Sequence, residues 1–112
     1  MTSKYHAKKT VVDGITFDSR AEAKRYVELK WLERSGKIKD LKLQHRFLLQ
    51  PSFKKDGKTI RAINYIADFT YFDIERNKNI VEDVKGYRTD VYQLKKKLFE
   101  YMYPELTIIE VK

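Results

Sequence analysis

INYIADFTYFDIERNKNIVEDVKG, residues 63–86, alternates apolar and polar side chains on both sides of a short polar break, ERNK at 75–78. Such alternation predicts two extended segments joined by a tight turn, and hence an antiparallel pair. On the first segment Tyr65, Ala67, Phe69 and Tyr71 fall on one strand face, with Asn64, Ile66, Asp68, Thr70 and Phe72 on the other. On the second, Val81, Asp83 and Lys85 lie opposite to Ile80, Glu82 and Val84. A turn centred near Arg76 and Asn77 makes paired positions sum to about 153, which sets Asp68 across from Lys85 and diagonal to Asp83. A slip of two residues sets Asp68 directly opposite Asp83. In either register Asp68, Asp83 and Lys85 share a face that excludes Glu82. Solvated charges along a strand edge are the plain alternative for VEDVKG, residues 81–86.

Working outward, TVVDGITF at 10–17 reads as a hairpin turning at Asp13–Gly14. SRAEAKRYVELKWLERSG at 19–36 reads as a helix with Ser19 as N-cap and Gly36 as its stop. IKDLKLQHRFLLQPSF is extended and meets the next extended segment through a KKDGK turn at 54–58. After Gly86, TDVYQLKKKLFEYMYP predicts a second helix, with Val91, Leu94, Leu98 and Met102 as its packing stripe and Pro104 ending it. LTIIEVK closes the chain as a strand. Strands linked by short loops form an antiparallel meander, whereas a strand reached through a helix runs parallel to its partner. The expectation is an α/β mixed sheet of order α-β-β-β-α-β, preceded by a short hairpin, in a single domain over 1–112.

Composition narrows the function. The 112 residues carry 24 Lys and Arg against 16 Asp and Glu, a net charge of +8, with 42% hydrophobic residues. The pI of about 9.6 suits a polyanion-binding domain. Basic residues cluster at Lys4, Lys8 and Lys9, at Lys54, Lys55, Lys58 and Arg61, and at Lys95 to Lys97. No cysteine is present, which excludes a disulfide framework, a thiolate zinc site and a cysteine nucleophile. Only His6 and His45 are available for a histidine-based metal site. No apolar run is long enough for a membrane span, and the N-terminus lacks a secretory signal, so a cytoplasmic location is expected.

Two half-buried carboxylates such as Asp68 and Asp83 repel each other unless a cation lies between them. A hard divalent cation takes oxygen ligands, few from the protein and the rest from water and phosphate. Lys85 beside such a site can hold an attacking water or a phosphate oxygen. The competing reading is an ordinary Asp–Lys cross-strand pair. Glu22 begins the packing face of the first helix, followed by Tyr26 and Leu29. It also completes an S-x-x-E capping box with Ser19, and the two roles are compatible because a carboxylate has two oxygens.

A helix glutamate, an aspartate on a strand, and Asp-x-Lys on the adjoining strand, followed by a helix and a strand, resemble the PD-(D/E)XK nuclease superfamily. Here these are Glu22, Asp68 and the DVK of Asp83 to Lys85. FDSRAEAKRYVELKWLERSGKIKDLKLQ, YIADF and VEDVKGYRTDVYQLKKKLF resemble more closely a small phage-encoded family assigned to that superfamily. The helix pattern is also similar to that of the endonuclease subunit of heteromeric transposases. Ala67 replaces the proline before the aspartate, which many members also lack.

The resemblance implies a restriction-endonuclease-like fold and Mg²⁺- or Mn²⁺-dependent hydrolysis of DNA phosphodiester bonds, in phage DNA replication, recombination or processing. Asp68, Asp83 and the Val84 backbone carbonyl would ligate the metal. Glu22 would ligate directly, through water or at a second metal, and Lys85 would position and activate the nucleophilic water. Related families place a further polar residue on the following helix, where Gln93 and Lys95 are the candidates, although Gln93 can also serve to cap Asp90. Arg88, Gln93, Lys95 and Lys96 are the expected contacts to double-stranded or branched DNA. A Holliday-junction resolvase would use the same site as a homodimer. A non-catalytic DNA-binding accessory protein, or an interaction protein that retains only the fold, would leave the paired aspartates without a role.

Overall fold

The computed structural model describes residues 8–84 and 88–112; Lys85, Lys4 and His6 lie outside them. Strands β1 (Thr10–Val12) and β2 (Ile15–Phe17) form the N-terminal hairpin. Its turn residues Asp13 and Gly14 have φ of 55° and 75°. Both are left-handed, as the tight hairpin turn demands. Helix α1 (Arg20–Arg34) starts where Ser19 Oγ accepts from the Glu22 amide at 3.1 Å, and stops before Gly36 at φ 76°.

Strand β3 (Ile38–Gln50) leads through a small hairpin, β4 (Phe53–Lys55) and β5 (Lys58–Ile60), into β6 (Ile63–Asp73) and β7 (Lys78–Val84). The expected single turn at 54–58 is thus a two-stranded sheet of its own. Helix α2 (Asp90–Met102) and strand β8 (Ile108–Val111) complete the chain. The main sheet has the order β3-β6-β7-β8, antiparallel except for the β7–β8 pair, which runs parallel through α2. The protein is therefore a mixed α/β structure. Among the described residues no helix is long and apolar enough to cross a membrane.

Two cores result. Phe17, Ala23, Tyr26, Leu29, Ile38, Phe69, Tyr71 and Ile80 pack together under α1. Leu49, Tyr65, Ala67, Val81, Tyr92, Phe99 and Ile108 pack together under α2. Tyr65 and Ala67 belong to one core and Phe69 and Tyr71 to the other, although all four are odd-numbered. In a regular strand they would share a face. The expected sharing fails because β6 reverses its alternation at Asp68. Strand β3 reverses in step: Leu41 and Leu43 join the α1 core, Phe47 and Leu49 the α2 core, and Gln44 between them has φ 53°. The pairs Leu43↔Phe69 and His45↔Ala67 flank this point, which sets Gln44 opposite Asp68.

The packing stripe of α2 also departs in part from expectation: Leu98 packs against the α2 core, but the other three do not. Val91 is 63% and Leu94 58% exposed, and Met102 is exposed too, while Tyr92 and Phe99 are buried. Phe99 meets Phe47 and Tyr65 at ring-centroid distances of 4.9 and 5.2 Å, and Tyr92 donates to Glu110 Oε2 at 2.7 Å. Large rings with one polar handle bury more area than the aliphatic stripe, so the aromatic face docks. The helix is capped by Thr89, whose Oγ1 accepts from the Tyr92 amide at 3.0 Å; Asp90 is its first residue, so Gln93 has no cap to make there.

Candidate functional site

The register of β6 and β7 runs from Asp73↔Lys78 to Phe69↔Glu82. Paired positions sum to 151 by these partners, so continuing the ladder by one residue sets Asp68 opposite Asp83. This is the slipped register, not the one that opposes Asp68 to Lys85. At that position a carboxylate replaces a backbone acceptor: Asp68 Oδ2 accepts from the Val84 amide at 2.7 Å. The backbone ladder between the strands ends here, and the acidic residues gather at the fork.

Glu22 arrives from α1. Its backbone N–H serves the cap, but its carboxylate meets Gln44, whose Nε2 donates to Glu22 Oε2 at 3.3 Å and to Asp68 Oδ1 at 3.4 Å. One amide therefore ties the helix carboxylate to the strand carboxylate. Asp83 is only 3% exposed, and Tyr65 donates to its Oδ2 at 2.5 Å. Three separate segments thus bring Glu22, Asp68 and Asp83 together.

Their electrostatics follow from this crowding. Burial, then the Asp83 charge, push the Asp68 carboxyl up to about 7, with Glu22 adding to the rise and the Val84 amide opposing it. Burial also raises the Glu22 carboxyl, against a hydrogen bond with Asp68 and with help from Asp18 and Asp83. Burial and the bond to Asp83 raise the Tyr65 phenol, so it stays a donor. The donor set is all oxygen, which suits a hard divalent cation. Among the described residues, no three His, Asp or Glu side chains form a ready-made cage, and a cation with few protein ligands does not require one.

Glu82 turns to the other side. It is 2% exposed and gripped by Arg25, whose Nε and Nη2 donate at 2.8 and 2.6 Å, and by the Tyr71 hydroxyl. The charges of VEDVKG that the structure describes are therefore buried rather than solvated on an edge. Lys85 lies outside the described residues, so its expected role has no geometry here.

The expected DNA contacts on and just before α2 divide between two surfaces. Arg88 pairs with Glu110 at 2.6 Å and Lys96 with Glu100 at 3.5 Å, and Gln93 lines the same cleft. Lys95 instead lines a groove of about 450 Å³ with Arg46, Ile63, Ile66 and Leu94.

Sequence reasoning missed Gln44, Tyr65 and Arg25 as supports of the acidic residues. Gln44 left no periodic trace, because residues 41, 43, 47 and 49 are apolar on both sides of the reversal. The Ser19–Glu22 spacing was visible, as were the aspartates.

The chain belongs to a family described as a protein of unknown function (DUF1064), whose match covers residues 2–112. No curated protein and no solved structure matches it.

Proposed function

We propose that this protein is a metal-dependent endonuclease of the PD-(D/E)XK type that hydrolyses phosphodiester bonds in DNA. The observation that carries the reading is the convergence of Glu22, Asp68 and Asp83 at the β6–β7 fork, where burial and then the Asp83 charge push the Asp68 carboxyl up to about 7. Three carboxylates held so close are costly to ionise together unless a cation joins them. Their resemblance to the superfamily pattern and the net charge of +8 support DNA as the substrate.

Asp68, Asp83 and the Val84 carbonyl would hold Mg²⁺ or Mn²⁺, with Glu22 ligating directly or through water. Bound there, the cation would supply Lewis acidity toward the phosphate and lower the pKa of a coordinated water. The protein's own contribution is preorganisation. Tyr65 fixes Asp83, Gln44 fixes Glu22 and Asp68, and the Val84 amide fixes the second oxygen of Asp68. Lys85, one residue after Val84, would position the attacking water.

The test is cleavage of supercoiled, linear, branched and single-stranded DNA with Mg²⁺ or Mn²⁺, by wild type and by Asp83→Asn. Cleavage by wild type alone is the expected result, and the preferred substrate would separate a resolvase from a general endonuclease. A folded wild type that cuts none of these with either metal would sink the proposal. DNA binding without any cleavage would leave the accessory-protein reading in its place.

A further inference from the structure

The β4–β5 hairpin has no part in the acidic site and little support of its own. Every residue from Phe53 to Arg61 is exposed. The turn at Asp56 and Gly57 has φ of 52° and 76°, and the pairs are Phe53↔Ile60, Lys54↔Thr59 and Lys55↔Lys58. An isolated two-stranded hairpin is marginal in water. This one also sets two lysines directly across from each other, where like charges repel. Lys54, Lys55, Lys58 and Arg61 face one acid, Asp56, and none of the four is in an ion pair among the described residues. By contrast, Arg88 just before α2 and Lys96 on it have carboxylate partners.

We infer that the β4–β5 hairpin is a DNA-binding arm that lays its two strands along a groove of duplex DNA. The inference rests on the reading of DNA as substrate and adds where the duplex is gripped. A polyanion relieves the Lys55–Lys58 repulsion and neutralises the unpaired charges. A two-stranded ribbon fits the B-DNA major groove, which is about 12 Å wide. The arm leaves the sheet after Gln50, six residues along β3 from Gln44 at the acidic site. At about 3.3 Å per residue this places its root roughly 20 Å from the fork. Arg46 and Lys95, in the groove beside β6, lie along that interval and continue the basic track. The arm would thus hold duplex about half a helical turn from the cut.

The test is fluorescence anisotropy of a labelled DNA duplex, and in parallel of labelled single-stranded DNA and an RNA duplex, with a chelator present, so that no chemistry is required. The proteins are wild type, the combined variant K54A/K55A/K58A/R61A, Lys55→Ala alone, and Lys78→Ala as an exposed control outside the arm. The combined variant should bind at least about tenfold more weakly, with a salt slope shallower by roughly 1 for each phosphate that is no longer neutralised. Lys55→Ala should weaken binding while leaving the melting temperature unchanged or raised, since it removes a repulsion. Lys78→Ala should match wild type. If wild type binds the duplex with a steep salt dependence and the combined variant binds equally well, the arm is overturned and the nuclease reading stands. If the combined variant loses only single-stranded DNA or duplex RNA binding, the groove assignment is overturned. If wild type binds no DNA, the DNA reading fails and the arm with it.

Discussion

Arg25 and Glu82, 57 residues apart, are joined by two parallel hydrogen bonds of 2.8 and 2.6 Å, and they make Glu82 a structural residue rather than a replaceable neighbour of Asp83. Burial beside a fixed guanidinium leaves little room for a neutral substitute. Glu82→Gln strands part of the Arg25 charge against the sheet and weakens the Tyr71 hydrogen bond. Breaking a fully buried pair costs about 3–5 kcal/mol, and because Arg25 stays partly solvated a loss of about 2 kcal/mol is expected. Urea denaturation of Glu82→Gln measures it, and a change within about 0.5 kcal/mol would mean the pair is decorative.

Asp68 gives the protein a pH dependence of known sign. Its carboxyl sits near 7 in the folded chain against an ordinary value of 3.8, so the folded state binds this proton more tightly than the unfolded state. The stability it permits is full below pH about 4, falls as pH rises toward 7, and is level above. In metal-free buffer, Asp68→Asn should gain stability relative to wild type across that window. A difference that stays constant or shrinks between pH 4 and 7 would contradict the coupling at the fork.

Divalent cation should act on the same window. If Asp68 and Asp83 hold Mg²⁺ or Mn²⁺, millimolar metal should raise the wild-type melting temperature at pH 7.5, and should do so less at pH 5. Asp83→Asn should abolish most of the shift. Equal shifts in wild type and variant, followed by scanning calorimetry, would place the binding elsewhere.

Glu22 separates capping from chemistry. Its amide, not its carboxylate, bonds Ser19 Oγ, so Glu22→Gln should leave the N-cap intact and stability nearly unchanged, while cleavage falls by orders of magnitude. Ser19→Ala should cost about 1 kcal/mol and leave turnover at saturating substrate near wild type. A fully active, stable Glu22→Gln would confine the site to Asp68, Asp83 and Lys85.

Gln44 tests the strand reversal. At φ 53° a glycine carries no strain and a β-branched residue carries the most. Gln44→Val should therefore lose about 1–3 kcal/mol, and Gln44→Gly should be markedly more stable than that variant although it lacks the amide linking Glu22 to Asp68. Equal stability of the two in urea would show that the left-handed backbone is not required.

Local chemistry determined the elements. Ser19 and Gly36 bound α1, Asp13–Gly14 turns the first hairpin, and the spacing of Glu22, Asp68 and Asp83 was readable before any fold was known, because caps, turns and periodicity act over a few residues. Tertiary structure alone decided the rest. The slipped register that opposes Asp68 to Asp83, the shared reversal at Gln44 and Asp68, and the Arg25–Glu82 pair depend on partners well beyond a few residues away, up to 57 for Arg25 and Glu82. Helix α2 offered two apolar faces, and only the rings waiting at Phe47 and Tyr65 chose Tyr92 and Phe99 over Val91 and Leu94. Both strand patterns stayed apolar through the reversal because helices cover opposite faces of the sheet at its two ends, so the residues that change sides meet a core on either side.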